Sequence, residues 1–252
     1  MALKTRLRSG IGVAPALDLP PPFRLITLRE VGDAFGHAQK VAAEEGAGTL
    51  VFVGRFDLAE FAVVLEPDEP LRIARKVFYT AMNALADALL VHAPPDKPIG
   101  FDWPDTVRVD GGLVGGGRLA WPKDADEDAP PEWLVFGGMI RTVSMTDAPG
   151  LHPLETALDQ EGFGETGSNV LVESFARHLM VRIDTWQEDG FGEVAKDYLM
   201  RLSPEKGARR QIDENGDVLI RWAASSQVDR RPLIPALLKS SWYDPERGGP
   251  RQ

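Results

Sequence analysis

Cysteine is absent from the 252-residue chain, which excludes disulfides, thiolate catalysis and zinc sites built on cysteine ligands. Histidine is scarce. His37, His92, His152 and His178 stand apart without metal-ligand spacing, so no metal centre is expected from them. No run is long and apolar enough to span a membrane as a helix. The opening stretch is basic, but Pro15 and the run Pro20-Pro21-Pro22 interrupt it before a secretory apolar region can develop, and a cytoplasmic location is expected. Positive charge is in deficit, 28 Lys and Arg against 38 Asp and Glu. The resulting net charge of −10 argues against nucleic acid as the main partner, because phosphate backbones need a basic face.

What remains is ordinary for a globular chain, with 43% hydrophobic and 26% charged residues. Residues 1–22 are expected as an extended lead-in, since Pro20-Pro21-Pro22 suits neither helix nor sheet. Phe23 to Val31 reads as a strand, and Asp33 as the cap of a helix that Gly46 and Gly48 stop. Thr49 to Val53 and Phe61 to Leu65 read as strands around Gly54-Arg55-Phe56-Asp57. Arg72 to His92 carries the longest helical pattern, with Ile73, Val77, Ala81, Leu85 and Leu89 four apart. Strands return from Ile99 to Pro122, and Trp133 to Val143 reads as one more, interrupted by Gly137-Gly138. Ser168 or Asn169 is expected to cap a helix reaching about Glu188, followed by a shorter one to Leu202. A hairpin over Ala208 to Trp222 turns at Glu214-Asn215-Gly216. The tail places Leu233, Ile234, Leu237, Leu238 and Trp242 for docking on the main domain or on a partner. Intermixed strands and helices around hairpins predict an α+β sandwich, with a main domain over 23–202 and a small C-terminal hairpin and docking tail over 203–252.

The densest chemistry lies between Phe101 and Arg118. Thr106 to Val109 alternates as a strand, Asp110-Gly111-Gly112 turns, and the return strand carries Gly115, Gly116 and Gly117. Without side chains there, another backbone or a ligand can approach closely, and glycine amides can cradle phosphate. A glycine-kinked hairpin packed under a helix is the competing reading. Nothing fits a Walker loop or a dinucleotide fingerprint.

Trp103-Pro104-Asp105, the short strand, Asp110-Gly111 and the glycine-bearing return strand resemble the catalytic hairpin of the biotin/lipoate protein ligases. In biotin ligases that run reads Lys-Trp-Pro-Asn-Asp, then Asp-Gly-Arg-Lys, then a small residue and Gly. The flanking elements agree in order, and Ile212 to Leu219 is similar to the strand-turn-strand of the family's small C-terminal barrel. The resemblance spans roughly 23 to 222. It implies the class II synthetase-like sandwich, Mg-ATP as cofactor, biotin or lipoate/octanoate as candidate ligand, and a lysine of a carrier protein as possible acceptor. It also implies ligand binding by Gly54, Arg55, Trp103, Pro104, Gly115, Gly116, Gly117 and Arg118.

Departures fall where the family works. The motif lysine is Asp102, the Asn-Asp pair aligns with Asp105-Thr106, and the return-strand lysine aligns with Leu113. The Gly-Arg-Gly-Arg loop shortens to Gly54-Arg55, and Met139-Ile140-Arg141 stands near a missing Gly-x-Asn. A lysine about 4 Å from a phosphate oxygen gains roughly 4 kcal/mol at an effective dielectric near 20, so the reversal at Asp102 bears directly on rate. Arg55, Arg118 or Lys123 could restore the charge, and the candidate catalytic residues are Asp102, Asp105 and Arg118. Asp102 and Asp105 either form a carboxylate pair near a cation, or one caps the turn while the other pairs with Arg108 or Arg118. Two functions follow: a divergent acyl ligase or transferase with an altered active site, or a catalytically inactive module binding a ligand or a carrier protein.

Overall fold

The computed structural model describes residues 17–145, 154–164, 166–223 and 225–251. The first sixteen residues of the expected lead-in, and His152, lie outside the described residues. Residues 17–22 form neither helix nor strand; Leu17 and Leu19 pack on the core, and Asp18 bonds to Arg177.

β1 (Arg24–Leu28) leads into α1 (Ala34–Glu45), which returns the chain to β2 (Thr49–Val53), parallel to β1. Asp33 caps α1 by accepting from Gly36 N, and Gly46, at φ 74°, ends it. β3 (Leu58–Leu65) follows antiparallel to β2. The pattern over Arg72 to His92 folds as two helices, α2 (Leu71–Ala74) and α3 (Val77–Leu90), not as one. Between them Lys76 N bonds to Ile73 O and Phe78 N to Arg75 O, three-residue steps that tighten the backbone out of α geometry. β4 (Ile99–Asp102), β5 (Thr106–Val109) and β6 (Gly112–Ala120) form consecutive antiparallel pairs. Asp110 (φ 49°) and Gly111 (φ 82°) make the β5–β6 turn, the backbone that a two-residue hairpin of matching twist requires. β7 (Leu134–Arg141) runs unbroken through Gly137-Gly138, contrary to the sequence expectation. The reason is packing: the rings of Phe35 and Phe61 lie where Cβ atoms on Gly137 and Gly138 would stand.

α4 (Ser168–Asp189), the longest helix at 22 residues, and α5 (Phe191–Arg201) complete the main layer. Ser168 does not cap α4; its hydroxyl donates to Arg55 O at 2.6 Å and ties the helix start to the β2–β3 loop. Beyond Leu202, β8 (Ala208–Ile212), β9 (Val218–Trp222) and β10 (Val228–Arg231) make a three-stranded antiparallel sheet. α6 (Leu233–Leu237) and the two-residue strands β11 (Tyr243–Asp244) and β12 (Gly249–Pro250) finish the chain.

The seven main strands lie in the order β1-β2-β3-β7-β6-β5-β4. On one face α1 buries Ala34, Ala38 and Ala42, four apart, against Val51, Val53, Ala62 and Val64. The other face carries α3, α4 and α5. α3 is buried on nearly every side, leaving out only Asp87 and Leu90, which places it between sheet and helices. Two of its polar side chains are matched across the layer, while the buried Thr80 hydroxyl has no hydrogen-bond partner among the described residues. Asn83 donates to Val194 O, and Asp87 accepts from Arg182 at 2.6 Å and Arg201 at 2.6 Å.

Candidate functional site

The α1 face is only half covered by α1. The register sets Val53, Glu60, Met139, Gly116 and Thr106 in one row across β2, β3, β7, β6 and β5. Over the β7–β5 end of that row lies the C-terminal tail. Trp242 is fully buried with Leu58 and Met139, and Leu113 packs beside them. Its indole N–H donates to Gly117 O at 3.2 Å, and a Cβ on Gly116 would come within 2.5 Å of the ring. Arg141 holds the end of the tail from below, donating to Pro250 O at 3.0 Å and Arg251 O at 3.1 Å. Burial lowers the pKa of this guanidinium.

The residues singled out in the sequence are not gathered around one point. Asp102, on β4, accepts from Arg108 Nε at 2.5 Å and from Ser203 Oγ at 3.0 Å; Arg108 is therefore its partner, not Arg118. Asp105 is buried and accepts from Ser240 Oγ at 2.7 Å, Ser241 Oγ at 2.8 Å and Ser241 N at 3.2 Å. Burial raises its pKa, while the serine hydrogen bonds oppose the rise. Arg55 is spent on Asp57 through Nε and Nη2, at 3.1 and 2.7 Å. Gly54, beside it, continues the β2–β3 loop. Trp103 points to the helical layer, where its N–H meets Tyr79 Oη at 3.3 Å, and Pro104 O accepts from Tyr198 Oη at 2.6 Å. Each glycine of the run meets protein. Gly115 abuts the Met139 backbone, Gly116 the indole of Trp242, and Gly117 the side chains of Met82 and Phe136.

Arg118 differs from all of these. Its guanidinium lies between the rings of Phe35 (4.4 Å) and Tyr243 (4.2 Å), and no carboxylate among the described residues pairs with it. It borders an open cleft of about 760 Å³ between α1, the end of β6 and the tail. Arg75, Lys123 and Arg251 add positive charge to the walls, and Trp121, Leu237 and Leu238 add apolar surface. Of these cations Arg75 is committed, paired with Glu127 and stacked 5.2 Å over Trp121, while Lys123 is exposed. An anion with an apolar body suits such a lining.

Glu60 escaped the sequence reading. It is 4% exposed on the same strand face, accepts from Ala34 N at 2.9 Å at the start of α1, and has its pKa raised chiefly by burial. Arg55 and Arg118 pull that value the other way. One charged residue inside the apolar run Leu58-Ala59-Glu60-Phe61-Ala62-Val63 was the available signal. No group of three His, Asp or Glu among the described residues is placed to hold a metal ion, and no helix among them is long and apolar enough to cross a membrane.

The architecture has relatives. The chain is similar to a biotin protein ligase-like protein of unknown function from Silicibacter sp. TM1040, with 28% identity and a TM-score of 0.74 over 86% of this chain and 97% of that one. A point mutant of the Aquifex aeolicus biotin protein ligase, in complex with biotin, shares the fold at 16% identity and a TM-score of 0.61, covering 84% and 99% of the two chains. The Leishmania major biotin protein ligase, in complex with biotinyl-5-AMP, does so at 14% and 0.56, covering 84% and 98%. In sequence the chain is 26% identical over 184 residues to a biotin–[acetyl-CoA-carboxylase] ligase of Paracoccus denitrificans, covering 66% of this chain and 75% of that protein. The profile of the Biotin/lipoate A/B protein ligase family matches residues 19–200. The chain belongs to the biotin/lipoate A/B protein ligase family.

Proposed function

We propose that the protein is a biotin- or lipoate-type acyl ligase or transferase with a rearranged active site. In this reading Arg118 takes the anionic end of a small carboxylic acid or of its adenylate. The observation that carries it is the guanidinium of Arg118, without an ion pair among the described residues, at the mouth of an open cleft beside the glycine strand. A guanidinium already braced between two rings presents its N–H fork with little further ordering, and carboxylate and phosphate both match that fork. ATP, when bound, supplies the group that activates the carboxylate, and Arg118, Lys123 and Arg251 are among the cations that line this cleft. The acceptor in this reading is a lysine of a carrier protein.

A specific observation favours a second reading, a non-catalytic ligand-binding module. Asp102 and Asp105 both spend their carboxylates within the chain. Pyrophosphate exchange separates the two. The folded chain is incubated with Mg-ATP and biotin, lipoate or octanoate. The ligase reading expects acid-dependent exchange that Arg118→Ala abolishes. A ligand-dependent rise in Tm without any exchange supports the module. Neither response across the panel overturns both.

A further inference from the structure

We propose that the outer face of the C-terminal sheet docks an acidic segment of a partner protein, with Arg209 and Arg221 holding its carboxylates. This is independent of the reading of the cleft at Arg118.

Register and burial define the face. Side chains alternate along a strand, and Ile212, Val218 and Ile220 are buried on one side of this sheet. Arg210 lies on that inner side too, donating to Leu199 O and Leu202 O at the end of α5. The outer side therefore carries two rows across β10, β9 and β8: Val228, Arg221 and Arg209, then Arg230, Leu219 and Gln211. None of the six is acidic. Arg230 is committed to Asp213 at 3.1 Å and Asp217 at 2.6 Å. Arg209 and Arg221 stand directly opposite each other and are both exposed. Neither side chain makes an ion pair or hydrogen bond among the described residues. Like charges face to face weaken a strand pair. A partner's carboxylate set between them relieves that repulsion and meets two guanidinium forks. Leu219 and Val228, the latter 43% exposed, add apolar surface beside the pair.

Charge is divided along the chain in the same sense. Residues 203–252 hold nine Lys and Arg against seven Asp and Glu, whereas the whole chain has 28 against 38. Salt limits the reach of so small a basic face to roughly 8 Å at physiological ionic strength, which suits a short acidic segment. A nucleic acid would carry its phosphates on toward the acidic remainder of the chain, and none of the six side chains is an aromatic ring on which a base could stack.

Fluorescence anisotropy of labelled hexaglutamate with the full chain tests the idea, with labelled hexaglutamine and a labelled DNA duplex as comparisons. Hexaglutamate is expected to bind at least about tenfold more tightly than hexaglutamine, and to weaken as salt is raised. Arg221→Glu is expected to abolish that binding and at the same time to raise Tm, because it turns the like pair with Arg209 into an opposite one. Arg209→Ala is expected to weaken hexaglutamate about tenfold while Tm holds or rises. No binding of hexaglutamate at low salt overturns the proposal whether or not the variants fold. So does hexaglutamine bound as tightly, or hexaglutamate bound unchanged by the folded variants. A fall in Tm in both variants would show that the two arginines serve the sheet instead. Tighter binding of the duplex than of the peptide, lost in the same variants, would assign the face to nucleic acid and overturn the proposal as well.

Discussion

Ser241 holds Asp105 from two atoms, its hydroxyl at 2.8 Å and its backbone N–H at 3.2 Å. The pair joins the C-terminal tail to the turn after Trp103-Pro104, and it seals a buried carboxylate from water. Removing the hydroxyl leaves that carboxylate under-solvated. Ser241→Ala is therefore expected to cost about 1.5–3 kcal/mol, the range for hydrogen bonds to charged groups. Urea unfolding checks it, and a loss typical of an exposed serine would show that the tail does not hold Asp105 in solution.

The two buried acids also set a pH dependence. Burial raises Glu60 above its ordinary 4.5 and Asp105 above its ordinary 3.8. The folded chain thus holds these protons more tightly than the unfolded chain does. Their favourable contribution is complete below the ordinary values and is lost as pH rises through the folded ones. Glu60→Gln keeps an oxygen for Ala34 N–H and removes the charge. Its Tm is expected to exceed the unaltered protein's at neutral pH and to fall less steeply as pH rises from about 4.5. A variant that is less stable at neutral pH, with an unchanged slope, would contradict the dominance of burial over attraction to Arg55 and Arg118.

Arg118 separates binding from stability. It makes no ion pair among the described residues, and its two ring contacts contribute about 0.5–1 kcal/mol each at a partly exposed site. Arg118→Ala is expected to lower Tm slightly while weakening anionic ligands by about 1.5–3 kcal/mol, some ten- to hundredfold. Titration of the same acid into both proteins measures this. Equal affinities would place the ligand elsewhere.

Gly116→Ala probes the contact between hairpin and tail from the other side. The added methyl would stand within 2.5 Å of both the Asp105 carbonyl oxygen and the Trp242 indole, so both must give way. Overpacking of this kind costs about 1–3 kcal/mol. The indole must therefore move together with the Asp105 backbone, tryptophan fluorescence is expected to shift to the red, and an unshifted spectrum would show that Trp242 does not pack on Gly116 in solution.

Much of the fold was legible locally. Asp33 at the start of α1, Gly46 at its end, the Asp110-Gly111 turn and the hairpin at Glu214-Asn215-Gly216 each depend on the backbone preferences of a few adjacent residues. The break at Arg75-Lys76 and the continuity of β7 through Gly137-Gly138 were not legible. Both depend on what packs alongside: Glu127 and Trp121 at Arg75, Phe35 and Phe61 against the two glycines.

The site divides in the same way. Composition, the Trp103-Pro104 hairpin and the order of elements sufficed to place the chain in its family, because patterning and turn chemistry are written along the chain. Which charges are spent and which stay available was decided only by tertiary structure. Asp105 meets Ser241 across 136 positions of sequence, Arg141 meets Pro250 across 109, and Trp242 reaches Gly117 across 125. Hydrogen bonds and close packing act over a few ångströms, so the fold had to bring these groups together before Arg118 could be recognised as a cation with no ion pair among the described residues.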